Sequence, residues 1–78
     1  MWRDALLEEI RKLKGDEVAK HFDAVLLPSI LADFLKEIMK KGNAREDYNI
    51  DNGITLTLVG TKPARITEIY LNGKRVNF

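Results

Sequence analysis

Apolar residues recur along this chain with two periods, first near 3.6 and then 2, and the change falls close to the middle. Trp2, Leu6, Ile10 and Leu13, with Leu7 beside them, keep the spacing of one helix face. Glu8 and Lys12 stand four apart on the other side, an ion pair that adds about 0.3 kcal/mol to a helix. Gly15 suits the end of that helix, Asp16 can cap the next one, and Glu17 fits its first turn. Val18, Phe22, Val25, Leu26, Ile30, Leu31, Phe34, Leu35 and Ile38 then form a stripe broad enough to be buried on more than one side. Pro28 interrupts it. Its ring removes an N–H and would clash with the carbonyl of Ala24, so two helices over 16–27 and 28–41 are favoured over one kinked helix. Lys40, Lys41 and Gly42 suit a helix end, with positive charge at the negative pole of the dipole.

Residues 43–53 are polar and acidic, with Arg45 against Glu46, Asp47 and Asp51, and read as a connector. From Ile54 onward the period is 2. Asn72-Gly73 is a strong signal for a two-residue hairpin, because both residues tolerate positive φ. That turn pairs Leu71 with Lys74, Tyr70 with Arg75, Ile69 with Val76, Glu68 with Asn77 and Thr67 with Phe78. A four-residue loop over 61–64, with Pro63 at a corner, pairs Val59 with Ile66, Leu58 with Thr67 and Leu56 with Ile69. The two turns agree on sidedness. One face carries Ile54, Leu56, Leu58, Thr67, Ile69, Leu71, Val76 and Phe78. The other carries Thr55, Thr57, Val59, Ile66, Glu68, Tyr70, Arg75 and Asn77. A one-residue slip at either turn would scramble both sets. Tyr48-Asn49-Ile50 can add a fourth strand, with Gly53 at the left-handed position of the turn that follows. The fold expected is α+β in two layers: two or three N-terminal helices packed on one face of a three- to four-stranded antiparallel meander, with 1–42 helical, 43–53 connecting and 54–78 in strands.

With 78 residues the chain allows a single domain, and a core this small gains from a partner. No cysteine is present, which removes disulfides, thiolate metal sites and a thiol nucleophile and favours a cytoplasmic address. No stretch approaches the roughly 20 apolar residues of a membrane span, and the charged N-terminus leaves no room for a signal-peptide core. Glutamine is absent while lysine and glutamate abound, a leaning seen in thermophiles.

Candidate chemistry is sparse, and the chain reads as no enzyme. His21 and Ser29 are eight positions apart, about 12 Å along a helix, too far for a nucleophile and its base. No cofactor or small-molecule substrate is implied. Asp47, Asn49 and Asp51 carry oxygen ligands with the opening spacing of a calcium loop, but Gly53 falls one position late and Leu58 stands where a bidentate glutamate is needed. A polar turn explains the same residues.

Net charge is +1, yet unevenly spread. Lys62, Arg65, Lys74 and Arg75 face only Glu68 in the strand half, and Tyr70 lies opposite Arg75. A basic sheet with an aromatic could hold a phosphate backbone and stack a base. Helices followed by hairpins also follow winged-helix order, with 28–41 as recognition helix and 60–65 as wing, although Asp33 and Glu37 would repel phosphate. The preferred reading is a protein–protein interaction, regulatory or assembly module that self-associates through an apolar helical face or a sheet edge, using Leu27, Leu31, Leu35, Tyr70 and Phe78. Nucleic-acid binding through Lys62, Arg65, Tyr70, Lys74 and Arg75 is the alternative.

Overall fold

In the computed structural model of the chain, which describes all 78 residues, helices come first and four strands follow. Helix α1 spans Trp2–Lys14 and buries Leu6 and Ile10, with Trp2 and Leu7 partly covered, while Leu13 stands in water. The expected Glu8–Lys12 pair is replaced by Glu8–Arg11 and Glu9–Lys12, three residues apart. The Arg11 guanidinium reaches Glu8 with two nitrogens at once, a geometry lysine cannot match.

A single residue makes the corner between the first two helices. Gly15, at φ 93°, donates its N–H to the Arg11 carbonyl at 2.7 Å and offers its own carbonyl to the Ala19 N–H at 3.2 Å. It therefore ends α1 and caps α2 (Asp16–His21), and Asp16 is the first helical residue where the sequence suggested the cap. The chain then passes through a π turn at Phe22–Leu26 into α3 (Leu27–Lys41) without leaving the helical path. This corrects the break expected at Pro28. The wider turn lets the Leu27 N–H donate to the Phe22 carbonyl five residues back, so the proline sits at the head of α3 and the rod continues. Arg3 grips the Asp23 carboxylate with two hydrogen bonds, at 2.9 and 2.8 Å, and so ties α1 to the π turn.

The sheet is an antiparallel meander in the order β1-β2-β3-β4. Its strands are β1 (Asn43–Asp51), β2 (Ile54–Thr61), β3 (Arg65–Leu71) and β4 (Lys74–Arg75). The acidic stretch read as a connector is thus a full edge strand, its register fixed by pairing with β2 from Asn43↔Thr61 to Tyr48↔Leu56 and Asn49↔Thr55. The Asn72-Gly73 hairpin closes as expected, with Tyr70↔Arg75 and Leu71↔Lys74. The β2–β3 register is displaced by two residues, to Leu58↔Ile69 and Leu56↔Leu71, and a bulge narrows the displacement to one at Gly60↔Ile66. An even shift keeps every side chain on its face. The bulge exchanges two residues. Thr67, expected inside, is exposed and donates its hydroxyl to the Val59 carbonyl at 3.2 Å, while Ile66, expected outside, packs against the core.

The inner face therefore holds Ala44, Ile50, Ile54, Leu56, Leu58, Ile69, Leu71 and Val76, all buried against Phe22, Leu27, Ile30, Phe34 and Ile38 of the helices. Pairing of the last strand fades after the Val76 N–H donates to the Ile69 carbonyl at 2.8 Å. Phe78, expected on the inner face, is 54% exposed. Helix and sheet approach closely at Gly60. A Cβ there would stand 2.6 Å from the Arg65 carbonyl oxygen, 2.9 Å from Phe34 Cε2 and 3.0 Å from Ile38 Cδ1. At the same end, Gly42 closes α3 at φ 84°, and its carbonyl receives the Lys62 N–H at 3.0 Å and the Thr61 hydroxyl at 3.3 Å.

Candidate functional site

Two surfaces carry the side chains that the fold leaves unused. The first is on α3, whose apolar arc is wider than the core it serves. Its acidic flank is turned to its own sheet edge. Asp33 accepts a hydrogen bond from the Tyr48 hydroxyl at 2.7 Å, and Lys41 lies between Glu37 at 3.2 Å and Glu46 at 2.8 Å. Burial, and next the bond to Asp33, push the Tyr48 phenol well above its ordinary range. The hydrogen bond to Glu46, and then that to Glu37, raise Lys41. The opposite flank is apolar and faces water: Pro28, Ala32, Leu35 and Met39 are all exposed, at spacings of four, three and four. Leu35 is 40% and Met39 61% exposed, and Val25, just before α3, is 52% exposed. Such spacing forms the narrow seam along which two helices mesh.

The second surface is the outer face of the sheet, which no helix covers. Register places its side chains in rows: Asn43, Thr61 and Arg65; then Arg45, Val59 and Glu68; then Asp47, Thr57, Tyr70 and Arg75. The Arg45 guanidinium lies over the Tyr70 ring, 5.3 Å from its centroid, a cation–π distance. The Tyr70 hydroxyl donates to the Glu68 carboxylate, and that bond is the main cause of its raised pKa. Asp47 accepts from the Thr57 hydroxyl at 2.6 Å. Where the Thr67 bulge parts the strands, a shallow groove of about 520 Å³ opens among Asn43, Arg45, Val59, Thr61 and Thr67, with no carboxylate in its lining.

Of the residues singled out from the sequence, Leu27 is 3% exposed and belongs to the core beneath α3, so it is withdrawn from the interaction set. It falls on the arc that faces the core, about 80° round the helix from Leu35. Leu31 is half-buried and packs on the core, leaving Leu35 to be joined by Met39. Tyr70 is half-buried on the outer face, and Lys62, Arg65, Lys74 and Arg75 are exposed. Arg45 and Met39 escaped notice. Met39 stands four residues after Leu35. Arg45 would have emerged had 43–51 been read as an alternating strand.

The oxygen ligands at Asp47, Asn49 and Asp51 are not curled round a loop. They lie two residues apart on an extended strand, about 6.8 Å per step, which is too wide for one ion. Asp47 and Asn49 accept hydroxyls from Thr57 and Thr55, and Asp51 stands 4.0 Å from Lys14. Winged-helix geometry is not formed either: it needs two helices crossing at a turn, and 16–41 is one rod. His21 and Ser29 are both exposed on that rod. No helix is long and apolar enough to cross a membrane. Compared with protein-family models, with curated proteins and with solved structures, the chain matches none.

Proposed function

We propose that this chain works as a non-catalytic binding module, that its docking surface is the apolar flank of α3, and that the partner is a second copy of itself. The observation that carries this reading is the apolar flank that α3 leaves in water. An amphipathic helix ordinarily turns its charges to water. Here Asp33 and Lys41 are engaged by Tyr48 and Glu46 of the neighbouring strand, Glu37 pairs with Lys41 on its own helix, and Pro28, Ala32, Leu35 and Met39 are left to solvent. The seam spans twelve residues, about 17 Å of helix. Its small residues gather at one end and its large ones at the other. A two-fold antiparallel crossing would set Leu35 and Met39 of each copy against Ala32 and Pro28 of the other, the self-complementarity that a two-fold interface requires. Lys36 is the one charge beside the seam, so the approach meets little repulsion. A chain without cysteine fits such work in the cytoplasm.

Sedimentation equilibrium over a range of concentrations tests this. The molar mass should climb from 8.9 kDa towards twice that value and should hold or rise as salt increases. A Leu35→Glu, Met39→Glu double variant should stay at one chain with its dilute melting temperature unchanged. A mass of one chain for the unaltered protein up to millimolar concentration would overturn the proposal.

A further inference from the structure

We infer that the outer face of the sheet is a second binding surface, separate from α3, and that its ligand is single-stranded nucleic acid. Charge pairing differs between the two layers: six of the eight helical Lys and Arg are paired, Lys20 and Lys36 are not, and no cation of the sheet is. In the helices Arg3, Arg11, Lys12, Lys14, Lys40 and Lys41 all stand within 4.0 Å of a carboxylate. Beyond Gly42 no cation does: Arg45, Arg65 and Arg75 on the strands and Lys62 in the turn are without an ion pair, as is Lys74, which sits opposite Leu71 on the helix side of the sheet. The two carboxylates on the outer face, Asp47 and Glu68, are held by the Thr57 and Tyr70 hydroxyls.

The arrangement selects a ligand by more than charge. The groove at the bulge offers the Arg45 guanidinium and the Asn43 amide, hydrogen-bond donors suited to phosphate oxygens, with no acid in its lining; the Thr61 and Thr67 hydroxyls beside them already donate to the Gly42 and Val59 carbonyls. Beside it, Arg45 and Tyr70 already form a stack, and a guanidinium plane or an aromatic ring is what an unpaired base lies on. A flat sheet face projects nothing into a duplex groove, so an unstacked single strand fits and a double helix does not. Val59 is the one large apolar side chain in the groove, which leaves little to enter a lipid layer. An acidic peptide would meet the same cations but would bring no ring to the stack.

Fluorescence anisotropy with a labelled mixed-sequence 12-nucleotide strand tests the inference, with the matching duplex and inorganic polyphosphate as competitors. The protein should bind the strand, and affinity should fall about 20-fold between 50 and 200 mM salt if three phosphates are contacted, at a slope near −0.7 per contact. Arg45→Ala and Tyr70→Ala should each weaken binding about tenfold, while Tyr70→Phe, which keeps the ring, should stay near the unaltered protein. Lys20→Ala and Lys36→Ala remove equal charge from the helical layer, where neither lysine has an ion pair, and should leave affinity within about twofold. Circular dichroism of each variant checks that the fold persists, and Arg45, being exposed, decides the matter if Tyr70→Ala unfolds. Absence of binding at 100 μM protein in 50 mM salt would overturn the inference. So would equal loss from the helical-layer lysines, or polyphosphate competing as well as the strand, which would mark a surface for anions in general.

Discussion

The helical layer and the sheet layer treat their side chains in opposite ways. The helices tie up most of their charges, in pairs such as Arg3–Asp23 and Glu37–Lys41–Glu46, and leave apolar side chains of α3 in water. The sheet buries its apolar side chains almost completely and leaves its cations without acidic partners. Each layer thus has a surplus of a different kind. A surplus of apolar surface associates more firmly as salt rises, whereas a surplus of cations loses its ligand. The same molecule can therefore present two binding faces that respond to opposite conditions.

The joint between the layers is where the comparison breaks first. Phe34 is wholly buried between α3 and the sheet, and Phe34→Ala should cost about 3–5 kcal/mol. A domain of this size holds only about 4–12 kcal/mol in total, so the variant should be largely unfolded or melt far lower by circular dichroism. Gly60→Ala should cost about 1–3 kcal/mol by overpacking, since the added methyl meets the Arg65 backbone as well as Phe34 and Ile38. Urea unfolding should show a lower midpoint with the slope unchanged.

Smaller changes sharpen the contrast. Tyr48→Phe removes the bond to Asp33, partly open to water, and should cost about 0.5–1 kcal/mol in thermal melts near neutral pH. The phenol is raised in the fold, so its stabilisation is full below its ordinary pKa of about 10 and is lost as pH climbs beyond it. The gap in melting temperature between Tyr48→Phe and the unaltered chain should therefore narrow above pH 10. Leu35→Glu should change the stability of the dilute monomer by no more than about 0.5 kcal/mol, because the side chain makes its contacts elsewhere than the core. It should nonetheless abolish any concentration dependence of the mass.

Much of this was legible in the chain. Alternation over Ile54–Leu58 and Ile69–Leu71 and the Asn72-Gly73 turn set the sidedness of three strands, and Leu56, Ile69 and Val76 are buried as that sidedness demands. The fourth strand was half hidden. Asn43, Asp47, Asn49 and Asp51 are poor strand formers, and they are held extended by pairing with β2 and not by their own preference. The β2–β3 register was invisible for a related reason: registers two residues apart keep the same faces, so patterning cannot tell them apart. Pro28 signalled a disturbance, but whether a helix breaks or widens into a π turn depends on what its flanks pack against, and Phe22 and Leu27 are both core. The outward apolar flank of α3 appeared as a stripe too wide for its sheet. Which residues it exposes depends on the angle at which α3 lies on the sheet, and Leu27 was misplaced on that account. Arg45 followed β1 out of sight.

The separation of the two faces is most directly tested by following backbone amide resonances in a dilution series. The account predicts concentration-dependent shifts confined to Val25, Leu31, Ala32, Leu35, Lys36 and Met39 along the apolar flank, with Arg45, Thr57, Thr61 and Tyr70 on the outer sheet unmoved. Shifts centred on the outer sheet, or none anywhere from micromolar to millimolar protein, would contradict it.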